Sequence, residues 1–283
     1  MRIAFVGLGN MGLPMATHLR DAGHDVVGVD VDAERAAAFE ARGGRTASAR
    51  AAADGAEVLV TMLRTPDQAL AASATALEAM TAGGVYVDAS TVGPATAESL
   101  ADRAADAGVG FVDAPVSGGV TGAEDATLAV MAGGEDADVE RVRPLLDAVG
   151  EDVFHVGPVG AGQAAKLCNQ LLVNAHLLSV AEAFRLGDSA DIDQETLYDV
   201  LTSCIGTSGI LEQKGRRIIE GDYDPGADVN LQHKDTQLIL EEAAAADLPV
   251  HLTAAVAQQF VRARQAGLGD RDHIVLYELL GDG

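Results

Sequence analysis

Up to Val156 the chain alternates between short apolar runs and amphipathic stretches, and beyond Gly162 the alternation stops. Arg2–Val6, Val26–Val29, Glu57–Met62, Val85–Val87, Gly110–Val112, Thr127–Met131 and Val153–Val156 read as strands. Between them Leu13–Ala22, Ala33–Ala41, a segment opened by Thr65-Pro66-Asp67, Pro94–Ala107 and Ala137–Ala148 read as helices. Repeated βα units imply a parallel sheet covered by helices on both faces. After the hinge the patterns are helical only: Gln163–Ser189, Gln194–Cys204, Gly209–Glu220, Lys234–Ala246, Val250–Ala266 and Asp272–Leu280. The expectation is an α/β N-terminal domain, 1–161, and an all-α C-terminal domain, 162–283, joined by a long helix. The boundary falls at the glycine-rich stretch Gly157–Gly162.

Composition limits what such a chain does. Of its 283 residues, 48% are hydrophobic, enough for two cores, and with no Trp those cores must be filled by Ala, Val and Leu. The net charge of −24 opposes binding to nucleic acid or to an anionic membrane, since both need a basic surface. An acidic, lysine-poor surface resembles halophilic proteins; at about 1 M salt, with a Debye length of roughly 3 Å, such charges barely repel. The opening run is too short for a signal peptide, and no apolar stretch reaches the length of a membrane span. Cys168 and Cys204 lie in helical patterns and read as free thiols of a cytoplasmic protein. The seven histidines include no i, i+4 pair, and no metal site is expected.

The first strand runs into Gly7-Leu8-Gly9-Asn10-Met11-Gly12, which opens the first helix. In that context the glycines serve a tight turn, the approach of a pyrophosphate and close helix–strand packing, as in a Rossmann-type domain. The free N–H groups of the helix start face the phosphates. Asp30 stands roughly 20 residues on, where a carboxylate accepts hydrogen bonds from the adenosine ribose. A carboxylate there repels a 2′-phosphate, so NAD is expected in preference to NADP, although Arg35 stands near the expected edge of that pocket.

Two further runs carry candidate chemistry. Ser117, Gly118 and Gly119 follow a strand and offer consecutive backbone N–H groups, a cradle for a carboxylate; an ordinary turn of small residues has the same composition. Lys166 is one of three lysines in the chain and sits on a largely apolar helix. Burial lowers a lysine pKa and makes it an acid or base near neutral pH. At 100° per residue Gln163, Lys166, Gln170 and Asn174 share one side, with Asn169 at the fringe. A polar stripe on a buried helix must find partners. A domain-interface helix with a snorkelling lysine is the other reading of the pattern.

Taken together the motifs resemble the β-hydroxyacid dehydrogenase family. They are Gly7–Ala16, Asp113–Ala123, the catalytic run Gly160-x-Gly162-x-x-x-Lys166-Leu167-x-Asn169, and the pair Lys234-Asp235. The resemblance covers essentially the whole chain. It implies an oxidoreductase in which Lys166 is the general acid/base for a small 3-hydroxy acid and its semialdehyde. Ser117, Gly118, Gly119, Asn169 and Gln170 would hold the substrate. Gly7, Leu8, Gly9, Asn10, Met11, Gly12, Asp30, Met62, Leu63, Thr91 and Lys234 would hold the cofactor, with Ser90 beside Thr91. It also implies a homo-dimer or homo-tetramer. Arg64 departs from the proline common after the Leu63 position, and Gln170 stands where Asn is frequent. Some stretches, such as Leu231–Asp235, look more like tartronate semialdehyde and sulfolactaldehyde reductases, while the intact Ser117-Gly118-Gly119 favours a carboxylate over a sulfonate. The chain is short for a 6-phosphogluconate dehydrogenase, and Lys166 argues against an imine reductase. A non-catalytic NAD-binding sensor is the reading outside enzymes.

Overall fold

The computed structural model describes residues 1–281. Its strands are β1 (Arg2–Val6), β2 (Asp25–Val29), β3 (Arg45–Thr46), β4 (Val58–Thr61), β5 (Val85–Asp88), β6 (Gly110–Asp113), β7 (Val116–Ser117), β8 (Leu128–Gly134) and β9 (Gly150–Gly157). The helices interleaved with them are α1 (Gly12–Asp21), α2 (Ala33–Ala41), α3 (Ala49–Ala53), α4 (Pro66–Leu77), α5 (Pro94–Asp106), α6 (Gly119–Glu124) and α7 (Asp136–Asp147). Then follow α8 (Ala161–Ser189), α9 (Gln194–Ser203), α10 (Gly209–Glu220), α11 (Val229–Ala245), α12 (His251–Gln265) and α13 (Leu276–Gly281). The described residues form two compact units, Met1–Lys166 and Leu167 onward.

In the first unit the strand order begins β3-β2-β1-β4-β5-β6, the doubly wound arrangement that reverses direction of travel between β1 and β4. Alternation along each strand builds two cores. Ile3 and Phe5 of β1, Val58 and Val60 of β4, and Val85 and Val87 of β5 face one way, onto Met15, Ala16 and Leu19 of α1 and Val139 and Val142 of α7. Ala4 and Val6, Leu59 and Tyr86 face the other way, onto Ala52, Ala69, Ala76, Ala97, Leu100 and Ala104 of α3, α4 and α5. The alanines let these helices sit close to the sheet, which is how a chain poor in aromatics still packs densely.

The expectation of a wholly parallel sheet needs correction. β1 to β6 are parallel, but β8 pairs antiparallel with β6 and with β7, and β9 then runs parallel to β8. The link from β6 to β8 holds only the two-residue β7 and the six-residue α6, too little for a crossover back to the start of the sheet. Four short elements and two helix boundaries also differ. β3, α3, β7 and α6 are elements too short to show a period. Helix α11 begins at Val229 rather than Lys234, because the Asp228 side chain accepts from Leu231 N and caps it. Cys204 is the residue after α9 rather than part of it, and both thiols are free and exposed.

The second unit is helical. Leu177, Val180, Ala181 and Phe184 of α8 pack with Leu211 and Ile218 of α10, Val256, Phe260 and Ala263 of α12, and Ile274 to Leu276. A polar knot sits inside this core. Asp272, fully buried, accepts from Lys214 Nζ at 2.8 Å, Arg217 at 3.0 Å, and the backbone N–H groups of Gly226 and Ala227. Burial alone would raise its carboxyl; His273, Lys214 and the donors around it outweigh burial and hold it at about 2. Burial pushes the neighbouring His273 imidazole down to about 4; Lys214 and Arg217 push the same way, and Asp272 and Asp228 oppose them.

His273 therefore stays neutral in the fold while the unfolded chain takes up a proton near pH 6.5. Its contribution is complete above that pH and is lost as pH falls toward 4. Relative to a His273→Leu variant, the protein should lose about 3 kcal/mol of unfolding free energy across that window. Denaturant unfolding at a series of pH values reads the difference, and parallel curves for the two proteins would show that the imidazole is not held neutral.

Candidate active site

The carboxyl edge of the sheet in the first unit gathers most of the candidate residues. β1 ends at Val6, and the chain turns at Gly7 with φ of +101°, a conformation open to glycine. A Cβ on Gly7 would strike the Met62 carbonyl oxygen, and one on Gly12 would overlap the Gly7 carbonyl. Gly9 is different: the nearest atom to a Cβ there is an Arg35 guanidinium nitrogen at 3.5 Å, so the space above Gly9 is open to a ligand. Among the described residues no side chain caps α1, and its first turn carries no acid, whereas α2, α3 and α4 are capped by Asp32, Ser48 and Thr65. Leu13 N already donates to the Gly9 carbonyl and Pro14 carries no N–H, but no side chain competes for an anion at that helix start, and the loop fits a dinucleotide pyrophosphate.

Asp30 follows β2 and accepts from Leu8 N at 2.7 Å and from Asp32 N at 2.9 Å. Its carboxylate ties the glycine loop to the neighbouring strand end. Arg35 lies beside Gly9 and is 3.6 Å from Asp32, so a cation does reach the pocket edge. Met62 and Leu63 follow β4, both half-buried, and the Leu63 N–H donates to Ser90 Oγ at 2.9 Å. Asn10 is exposed and Met11 half-buried on the loop itself, and Thr91 is half-buried next to the fully buried Ser90.

Beneath these loops three polar residues align across the last position of adjacent strands: Thr61 pairs in register with Asp88, and Asp88 with Asp113. Thr61 Oγ1 and Ser90 Oγ donate to Asp88 Oδ1 at 2.6 and 2.7 Å. Asp113 accepts from Gly160 N through Oδ1 and from Gln163 N through Oδ2, each at 2.8 Å. Burial pushes the Asp113 carboxyl up to about 6, against the pull of those two donors. Past Asp113 the chain makes β7 and reaches Gly118 and Gly119, which are exposed, with φ of +137° and +66°. Ser117 is half-buried beside them.

Lys166 sits in the first turns of α8 and is 7% exposed, so the amine carrier is buried rather than on the surface. Gln163, one turn earlier on the same face, is fully buried: its Oε1 accepts from Val92 N and Gly93 N, and its Nε2 donates to the Ser90 carbonyl. Asn169, Gln170 and Lys234 belong to the second unit. There Asn169 donates to Gln170 Oε1 at 3.2 Å, and Gln170 Nε2 donates to Asp235 Oδ2 at 2.6 Å and to Gln232 at 3.3 Å. Lys234 Nζ is 2.8 Å from Asp235 Oδ1. Asn174, on the same stripe, is 1% exposed, and its amide makes no hydrogen bond among the described residues. Sequence reasoning passed over Asp88 and Asp113 as site residues. The signal was present: an acid closing an apolar strand is rare unless its carboxylate is employed.

Comparison with known proteins bears on the family of the chain. Residues 2–157 match the NAD binding domain of 6-phosphogluconate dehydrogenase, and residues 160–280 match the NAD-binding domain of NADP-dependent 3-hydroxyisobutyrate dehydrogenase. The chain is 36% identical over 277 residues to 2-(hydroxymethyl)glutarate dehydrogenase of Eubacterium barkeri, covering 96% of this chain and 92% of that one. It is 36% identical to a probable 3-hydroxyisobutyrate dehydrogenase of Mycobacterium tuberculosis, covering 86% and 85%. A crystal structure of 3-hydroxyisobutyrate dehydrogenase from Salmonella typhimurium superposes with a TM-score of 0.91 at 32% identity, covering 98% and 99%. A dinucleotide-binding domain followed by a helical one, with this degree of likeness, defines an oxidoreductase acting on a CH–OH group. The chain belongs to the β-hydroxyacid dehydrogenase family.

The glycine loop is testable at the one position where a methyl meets only open space and a flexible guanidinium. Gly9→Ala should leave thermal stability nearly unchanged and weaken dinucleotide binding at least about 10-fold, a loss of about 1.4 kcal/mol. Fluorescence titration with reduced dinucleotide checks this, and an unchanged affinity would move the pyrophosphate elsewhere.

Proposed function

We infer that this enzyme interconverts a 2-substituted 3-hydroxypropanoate, such as 3-hydroxyisobutyrate or glycerate, with its semialdehyde. The observation that carries this reading is a buried lysine within the catalytic motif, in the same unit as the glycine loop and the Ser117–Gly119 turn. Gly7 to Gly12, Asp30, Met62, Leu63 and Thr91 hold the dinucleotide, which when bound supplies the hydride chemistry. The substrate carboxylate docks on Ser117, Gly118 and Gly119. Lys166 Nζ takes the hydroxyl proton in oxidation and returns it to the carbonyl oxygen in reduction. Asn169 and Gln170 as substrate contacts, and Lys234 as a cofactor contact, rest on family likeness. So does a homo-oligomeric state; the two free thiols support a cytoplasmic location, and the acid-rich composition supports a halophilic setting.

Asp30 beside the glycine loop supports NAD as the preferred cofactor, because its carboxylate repels a 2′-phosphate. One observation favours the second reading, NADP: the Arg35 guanidinium lies against Gly9. A sulfonate substrate such as sulfolactaldehyde is the alternative on the substrate side.

Turnover of 3-hydroxyisobutyrate, glycerate and sulfolactate with NAD and with NADP, followed by nicotinamide absorbance at low and high salt, separates these readings. Carboxylates with NAD should give the highest kcat/KM. Lys166→Ala should bind dinucleotide within a few-fold of the parent and lose about 10²–10⁴-fold in kcat, the span expected of a general acid/base. Turnover that survives the substitution would remove Lys166 from the chemistry.

A further inference from the structure

The hydrogen bonds around the start of α8 raise a question that proton transfer by Lys166 leaves open: what sets the position of the amine. Helix starts are usually satisfied by a cap from the preceding residue. At α8 Ala161 N is met locally by the Pro158 carbonyl, but two other donors at the helix start are met from a distance in sequence. Gly160 N and Gln163 N both point at Asp113, the last residue of β6. Asp113 is also the residue from which the chain departs toward Ser117. The contact is close: a Cβ on Gly162 would lie 2.7 Å from Asp113 Oδ2, and one on Gly133 would lie 2.7 Å from Oδ1. Glycine at both positions lets the helix start and β8 close around the carboxylate.

Gln163 makes the second attachment, to a different loop. Its amide takes N–H from Val92 and Gly93 at 3.0 and 3.1 Å and gives N–H to the Ser90 carbonyl at 2.8 Å. It thus reads the backbone of the Ser90–Gly93 turn as a complementary three-point contact. Ser90 is in turn fixed by Asp88 and by Leu63 N. Two side chains therefore pin the first turn of α8 to two loops, one leading to Ser117 and one containing Thr91. Lys166 follows Gln163 by three residues on the same helix face.

We propose that Asp113 and Gln163 are positioning residues that fix Lys166 relative to the Ser117 turn and the Ser90–Thr91 loop. Neither needs to touch substrate. Their effect runs through the placement of Nζ, and a misplacement of about 1 Å costs on the order of 10²-fold in rate. The inference rests on Lys166 being the acid/base proposed above.

The test is a set of single substitutions, and the same substitutions combined with Lys166→Ala, assayed with NAD and 3-hydroxyisobutyrate or glycerate. Gln163→Met removes all three amide contacts in a similar volume. Gln163→Glu keeps the acceptor for Val92 and Gly93 but opposes the Ser90 carbonyl, and serves if the methionine variant does not fold. Asp113→Asn leaves one of the two helix donors facing an amide N–H. Each should lower kcat about 10- to 100-fold, raise the solvent deuterium isotope effect on kcat, and leave dinucleotide Kd and substrate KM within about 3-fold. In a Lys166→Ala background the same substitutions should leave the residual rate unchanged, because effects exerted through one group are not additive. Equal losses in both backgrounds, or an unchanged kcat with the parent lysine, would overturn the inference. If Lys166→Ala itself keeps full turnover, it is the acid/base assignment that fails, and the two failures are told apart by that single control.

Discussion

Asp113 is the interaction on which the first unit's functional edge depends. A carboxylate at the end of a buried strand is costly unless it is paired, and the donors it finds are the backbone N–H groups at the start of α8. That exchange has two consequences. It satisfies a helix start that would otherwise be buried without partners. It also joins the sheet to the helix that carries Lys166 through a contact with defined direction, which apolar packing does not supply. Asp88, one strand over, does the equivalent for the loops after β4 and β5, through Thr61, Ser90 and so Leu63. The carboxyl edge of this sheet is therefore a row of polar anchors beneath the loops that follow β4, β5 and β6.

The same design explains the distribution of glycine. At Gly12 and Gly162 a Cβ would collide with backbone or with Asp113, so these positions exist to bring elements into contact. At Gly9 the nearest atom to a Cβ would be an Arg35 guanidinium nitrogen at 3.5 Å, so no backbone contact requires glycine there. A motif match treats all three alike; only the surroundings separate glycines that pack from the one beside open space.

Much of the fold was legible in the sequence because period-2 strands and amphipathic helices of ordinary length announce themselves. The alternating βα units, the glycine loop at the end of β1 and the helical second half follow from that pattern. β3, β7, α3 and α6 were not legible, since two residues of strand or five of helix carry no period. Strand direction at β8 was not legible either, because alternation is the same for parallel and antiparallel neighbours. In the site, Lys166 stood out because lysine is scarce in this chain and its helix is apolar. Asp113 opens one motif and Gln163 lies on the polar stripe, yet the contacts they make span 47 to 73 residues, which no local window contains.

The raised pKa of Asp113 sharpens the functional argument. Burial disfavours its charge more than Gly160 and Gln163 favour it, which is why the group sits at about 6 rather than in the ordinary carboxylate range. As an ionised group at neutral pH it therefore subtracts from stability: the fold prefers the protonated form, and that preference is given up as pH rises through the folded value. A residue retained only to hold the sheet together would be better served by a neutral side chain of similar size. A carboxylate, in contrast, presents two acceptor oxygens and no donor, the one arrangement able to receive both helix N–H groups at once. The cost in stability and the geometry it secures thus point the same way. At Asp113 the first unit concedes some stability for a directed contact between the end of β6 and the start of α8.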